Sequence, residues 1–346
     1  MIRVAPTHLS VVEPLIAKRD GETRLGENIH FYKRGEDLSE LPGKFCLIGI
    51  EEDIGPRANY GRGGTRQAWN AGLERFVNIQ SNQFLDGEDI IVLGAIECAD
   101  LLAKSDNLIA SKQEDREAMF ELVEELDERV LQVAHWIVNA GKIPIVIGGG
   151  HNNAYPMLAG SALAIQQGDN SYILDGINCI NLDPHADLRA PEGRHSGNGF
   201  SYAMRKGFIH RYAVIGLHES YNNRYIFDQF GRSMNLFFNT FDSYVRGEKD
   251  MDTLLAEGLG HVSDGPVGIE LDLDAVQDVP TSAMTPSGIS VNQARRYVSL
   301  GAQLEHPVYL HICEGAPTIA ENGYEKVGKI IAYLVSDFIK SYRQRI

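Results

Sequence analysis

A chain of 346 residues with 43% hydrophobic and 23% charged residues has the material for one large α/β domain or two smaller ones, and argues against wholesale disorder. Its formal net charge of −15 speaks against nucleic acid or an anionic membrane as the main partner, since both need a basic face. No run approaches the ~18 apolar residues of a membrane span. The N-terminus lacks the basic-then-apolar pattern of a secretory leader. Cys46, Cys98, Cys179 and Cys313 lie far apart, mostly in apolar segments, as core thiols of a reducing compartment do. A soluble cytoplasmic protein is the expectation.

Residues 1–44 are mixed in polarity and read as an extension packed on the rest, with a short helix near Ser10–Lys18. Phe45–Ile50 is the first buried strand, bounded by Pro42-Gly43 and by Glu51-Glu52-Asp53. The stretch 54–64 reads as a glycine-rich loop, with Arg57 and Asn59 at the end of that strand, and helical character begins near Thr65. A strand at Ile90–Gly94 precedes a long amphipathic helix from Glu114 to Ala140, whose apolar residues recur every three or four positions. A strand at Ile143–Gly148 and a helix at Ala154–Gln167 follow. The stretch Ser171–Ile180 ends as a buried strand, which continues to Leu182. Further strands are expected at Tyr212–Gly216, Leu236–Phe238, Val267–Leu273 and Pro307–Ile312, and a last helix at Tyr324–Arg343. Uniformly apolar strands alternating with helices indicate a mainly parallel sheet of about eight strands in a three-layer αβα sandwich. Residues 45–346 are read as a single domain.

Four strand ends carry unusual polar groups. Gly148-Gly149-Gly150-His151 makes a tight turn out of a strand and places an imidazole directly after it. Asp183, His185 and Asp187 alternate along the chain and so project to one side. Glu270, Asp272 and Asp274 alternate with Ile269, Leu271 and Leu273, a pattern that also suits the wet face of an edge strand. Glu314 closes the last apolar run. Parallel strands share one carboxyl edge, so these groups can meet in one crevice. Two imidazoles and four carboxylates without a thiolate suit manganese rather than structural zinc. That charge balances two divalent ions, about 3.5 Å apart and sharing a water of lowered pKa.

In this order and together, these motifs resemble the ureohydrolase family of arginases, agmatinases and formimidoylglutamases, over roughly Phe45 to the C-terminal helix. The resemblance implies the arginase-like fold and two Mn2+ per chain. One ion would be held by His151, Asp183, Asp187 and Asp272, the other by His185, Asp183, Asp272 and Asp274. A bridging hydroxide would attack the amidine or guanidine carbon. Asp187, Glu314 and His195 are the residues expected to act on the substrate, with Glu314 pairing its cationic nitrogen group. Members of that family often assemble as trimers or hexamers, so a homo-oligomer is expected.

Within the family, the Gly148-Gly149-Gly150 turn before His151 and Arg189 two residues after Asp187 resemble formimidoylglutamases most. Arg189 is positioned to pair with a substrate carboxylate. Matching Gly197 to the family places Ser196 at the proton-shuttle position; matching Ser196-Gly197-Asn198 to arginases places Phe200 there. His195 is in register with neither, yet one residue of loop slack would let it reach a leaving amine. Asn198, Glu219, Arg57 and Asn59 are candidate substrate contacts. The expected reaction is hydrolysis of N-formimidoyl-L-glutamate to glutamate and formamide, in histidine breakdown. The alternatives are an arginase or other guanidino hydrolase, which would release urea, and a non-catalytic regulatory protein on the same fold.

Overall fold

The computed structural model describes residues 2–167 and 176–345; residues 171–175 of the Ser171–Ile180 stretch lie outside them. Among the described residues ten strands form one sheet: β1 (Val4–Pro6), β2 (His30–Phe31), β3 (Phe45–Gly49), β4 (Ile90–Ile96), β5 (Ile143–Ile147), β6 (Ile177–Leu182), β7 (Ile209–Leu217), β8 (Leu236–Thr240), β9 (Val267–Asp272) and β10 (Pro307–Cys313). Their order is β1-β4-β3-β5-β10-β9-β6-β7-β8, with β2 also on β4. Every pairing is parallel except β1 with β4.

The strand runs are continuously apolar because each face of the sheet has its own helical cover. Phe45, Leu47, Ile145 and Ile147 pack with Trp69, Leu73, Val298, Val335 and Phe338 from the helices Ala68–Phe76, Val291–Ala302 and Gly323–Arg343. Cys46, Ile48 and Val146 alternate to the other face, against Val123, Leu126 and Leu158 from the helices Gln113–Asn139 and Ala154–Gln167. All four cysteines are buried free thiols.

Several expectations shift. The first 44 residues contribute the edge strands β1 and β2, so they extend the sheet rather than only lying on it. The Ser10–Lys18 helix shrinks to Leu9–Val12 plus one 3-10 turn. Part of the glycine-rich stretch after β3 is a short helix, Ile54–Ala58. β9 is a central strand, flanked by β10 and β6, so Glu270 has no wet face and is fully buried. The helices Ala99–Ser105, Arg224–Phe230, Met251–Val262 and Val291–Ala302 are additional to those expected. Among the described residues no helix is long and apolar enough to cross a membrane.

Candidate metal centre

The site follows from sheet order. β5, β10, β9 and β6 are consecutive at the centre of the sheet and run parallel, so their carboxyl ends form one row. Cys313 is in register with Asp272, and Leu271 with Leu182, so Glu314, Asp272 and Asp183 emerge side by side. His151 joins them from the turn after β5.

That turn is organised by Glu52, at the end of β3. Its buried carboxylate accepts hydrogen bonds from the N–H groups of Ile54 (2.6 Å), Gly55 (3.2 Å) and Gly150 (2.7 Å) and from Asn153 Nδ2 (2.8 Å). Gly149 adopts φ 70°, and a Cβ there would sit 2.5 Å from Asn153 Nδ2 and 3.0 Å from Glu52 Oε1. Glycine is required both for the backbone angle and for the space. Two site residues that are not glycine also take the left-handed conformation, Asp187 (φ 49°) and Glu314 (φ 62°). Strain of this kind persists where surrounding contacts over-determine it, as at ligand sites.

His151 Nδ1 lies 2.9 Å from Asp187 Oδ2, 3.0 Å from Asp183 Oδ2 and 3.3 Å from Asp272 Oδ2. Despite these approaches neither of its ring nitrogens makes a well-directed hydrogen bond. One nitrogen and three carboxylate oxygens therefore converge on a common point, within 4.8 Å of one another. His185 Nδ1 lies 3.5 Å from Asp183 Oδ1 and 3.9 Å from Asp274 Oδ2, beside the first group. The carboxylates are held from behind. Asp183 accepts from Asn181 Nδ2 (3.0 Å) and the His185 N–H (2.8 Å), and Asp272 and Asp274 accept from the N–H groups of Asp274 (2.7 Å) and Ala283 (3.1 Å).

The electrostatics call for a cation. Burial and the neighbouring Asp274 and Asp183 drive Asp272 well above the ordinary carboxylate range, and burial with Asp183 raises Asp187 as well. Burial opposes charge on His185, but the Asp183, Asp274 and Asp187 carboxylates outweigh it and push the imidazole up to about 10. Three buried carboxylates, Asp183, Asp272 and Asp274, with the half-buried Asp187 beside them and an orphaned imidazole nitrogen, match divalent-ion ligation by oxygen and nitrogen. His151, Asp183, Asp187 and Asp272 thus fit one such ion, and His185 and Asp274 lie beside them. The Cys313 thiol also comes within ligand distance of His151 and Asp272, but it is buried behind them and points at the Leu271 carbonyl (3.6 Å).

A cavity of about 500 Å³ opens over this cluster, lined by His185, Asp187, Asp272, Asp274 and Glu314 at its floor. Glu314 Oε1 accepts from the His151 N–H (2.8 Å) and Oε2 from Ser282 Oγ (2.6 Å). Burial, reinforced by Asp274, pushes its pKa up to about 8. Arg189, Asn59, Tyr60, Ser196, Gly197 and Tyr221 form the wall. Arg189 donates to Asn59 Oδ1 (2.7 Å) and faces Glu192 (3.2 Å).

Four candidates are not brought to the cavity. Arg57 turns away to Ser105 and the Leu108 carbonyl. Asn198 is fully buried, its Oδ1 accepting from Arg194 (2.8 Å) and the His195 N–H (3.2 Å). Glu219 is exposed and ion-paired with Arg246 at 2.9 Å. His195 is buried, its Nδ1 accepting from the Gly197 N–H (3.1 Å); burial and three nearby arginines depress it to about 3. Ser196, not His195, lies on the cavity wall, 3.3 Å from Asn59 Nδ2. Arg57 and Glu219 are claimed by partners 48 and 27 positions away, whereas Asn198 and His195 are held by bonds within their own turn. Glu52 and Ser282 were not among the candidates, although the Glu51-Glu52-Asp53 cluster at a strand end was a visible signal for the first; Glu270 was noted only as part of the alternation along its strand.

Fold and cluster together define an α/β protein with a histidine–carboxylate metal centre at the carboxyl edge of its sheet. A sequence model of the arginase family matches residues 44–340, and the chain belongs to that family. It is 30% identical over 262 residues to a formimidoylglutamase of Chromobacterium violaceum, an alignment covering 73% of each chain. It is 30% identical over 212 residues to a formimidoylglutamase of Ralstonia nicotianae, covering 60% of this chain and 57% of that one. The structure superimposes on formimidoylglutamase from Bacillus subtilis with a TM-score of 0.73 at 17% identity, covering 94% of both chains. Trypanosoma cruzi formiminoglutamase, crystallised with Mn2+, matches with a TM-score of 0.69 at 20% identity, covering 94% of this chain and 100% of that one.

Proposed function

We propose that this protein is a binuclear manganese hydrolase that cleaves a C–N bond of an amidine, with N-formimidoyl-L-glutamate as substrate and L-glutamate and formamide as products. The observation that carries the reading is the placement of Glu314 and Arg189 in one cavity, on the floor and wall around the histidine–carboxylate cluster. The formimidoylglutamase relatives support the same substrate class.

His151, Asp183, Asp187 and Asp272 would hold one ion, and His185, Asp183, Asp272 and Asp274 the other. When bound, such a pair supplies Lewis acidity and an activated water at neutral pH. The rest is work for the chain's own groups. Glu314, fixed by the His151 N–H and Ser282, offers its open lone pairs to a planar amidinium, and the charge of that substrate favours its ionised form. Arg189, steadied by Asn59, binds a carboxylate at the other end of the substrate. Asp187, on the cavity floor, would pass a proton from the attacking water towards the departing nitrogen.

The test is a substrate panel on manganese-loaded enzyme with formamide and urea measured separately. Formamide from formimidoylglutamate is expected. Urea from L-arginine with no turnover of formimidoylglutamate would replace this reading with a guanidino hydrolase, and no turnover at all alongside full metal loading would favour a regulatory protein.

A further inference from the structure

Behind the metal cluster lies a second layer of buried polar groups that the proposed reaction leaves unused. Glu270, Tyr309 and His311 are each 0% exposed. Glu270 Oε1 accepts from the Tyr309 hydroxyl (2.6 Å), and Oε2 faces His311 Nδ1 (2.6 Å). The same Oε2 lies 3.5 Å from His151 Nε2, on the side of that ring opposite its three aspartates. Tyr297 donates to the backbone carbonyls of Ile180 and Glu270, pinning β6 and β9 at this level. Gly268, the register partner of Tyr309, makes the arrangement possible: a Cβ there would fall 2.5 Å from Tyr309 Cζ.

Burying a carboxylate in the middle of a parallel sheet is unfavourable, and an apolar side chain with no partners to satisfy would usually be more stable. The geometry points to a reason. We propose that Glu270 is a positioning residue for the metal centre: its Oε2, 3.5 Å from His151 Nε2 and not in a directed hydrogen bond with it in the metal-free chain, takes the Nε2–H when an ion is bound and so leaves Nδ1 as the lone pair aimed into the aspartate cluster. A metal-bound histidine commonly hands its second N–H to a carboxylate or carbonyl, which fixes the tautomer and the ring plane. Glu270 Oε2 is the carboxylate oxygen that faces the Nε2 side of His151. Tyr309 and His311 hold Glu270 in turn, so the carboxylate cannot swing into the cluster itself. The proposal rests on the metal-centre reading above.

The experiment uses the full chain, stripped with a chelator and titrated with Mn2+ alone, with folding followed by thermal unfolding. The wild-type chain is expected to take two ions. Glu270→Gln is expected to bind one of the two about 10- to 100-fold more weakly, while the ion served by His185 and Asp274 changes less. Tyr309→Phe removes a hydrogen bond to the same carboxylate but leaves its face towards His151, and should lower thermal stability with little effect on Mn2+ affinity. A folded Glu270→Gln chain that binds both ions like wild type overturns the proposal and leaves the metal centre standing. A wild-type chain that takes no Mn2+ overturns the metal-centre reading and the proposal together. If Glu270→Gln does not fold, nitrogen-15 spectra of the histidines in Zn2+-loaded wild type decide the matter. A proton on His151 Nε2 with the metal on Nδ1 supports the role assigned to Glu270, and the reverse tautomer refutes it.

Discussion

Glu52→Ala is the sharpest test of how the first imidazole is placed. The carboxylate accepts from four donors, the N–H groups of Ile54, Gly55 and Gly150 and the Asn153 amide, and it is fully buried. A net contribution of about 1 kcal/mol per bond gives roughly 4 kcal/mol for the set, with charge on the acceptor raising it and water entering the space lowering it. A loss of about 3 kcal/mol or more is therefore expected, a large part of the roughly 5–15 kcal/mol by which domains are stable. Because the Gly150 N–H is one of the four, His151 should lose its fixed approach to Asp183, Asp187 and Asp272. Chemical unfolding of the metal-free chain measures the first effect and Mn2+ titration of the folded chain the second. Glu52→Gln, which keeps one acceptor oxygen, should fall between the two. If Glu52→Ala unfolds at the wild-type denaturant concentration and binds Mn2+ unchanged, the claim that this side chain builds the turn is wrong.

Other outcomes follow from the same geometry. Asp183→Ala removes a carboxylate shared by both ligand groups and should leave less than one Mn2+ per chain by elemental analysis; retention of both ions would refute its bridging position. Arg189→Ala should raise KM for an acidic substrate by roughly 10- to 100-fold, the worth of a charged hydrogen-bonded pair, with a smaller change in kcat. An equal change for an amidine lacking the carboxylate would place Arg189 elsewhere in the mechanism. Arg194→Ala strands Asp127, its buried bidentate partner at 2.7 and 3.1 Å, and should cost about 3–5 kcal/mol in chemical unfolding. His195 is held neutral, with its folded pKa depressed to about 3 against about 6.5 unfolded. Below about 6.5 the unfolded chain binds the extra proton, so its contribution to stability is complete above that pH and is lost as pH falls towards 3. Stability measured against pH should lose part of this acid limb in His195→Gln, and an unchanged limb would mean that His195 ionises freely in the folded protein.

What the amino-acid sequence determined alone is the part carried by short-range periodicity and by residue chemistry. Apolar runs bounded by turns placed β3, β5, β6 and β10 to within a residue or two, and three- to four-residue spacing placed the helix now seen at Gln113–Asn139. Six candidate ligands, two histidines and four aspartates at three strand ends, pointed to a metal site before any contact was known, because parallel strands share an edge. Tertiary structure decided the rest. Strand order made β9 central, so an alternation that suits an exposed edge became a buried Glu270 facing His311 and Tyr309. The same packing handed Arg57 to Ser105, Asn198 to Arg194 and Glu219 to Arg246, leaving Asn59, Ser196 and Arg189 to line the cavity. Ligand identity is local chemistry that spacing can reveal. The direction a loop side chain takes depends on the partners that packing supplies, 48 positions away for Arg57, 27 for Glu219 and 130 for Arg189, and local spacing does not carry that information.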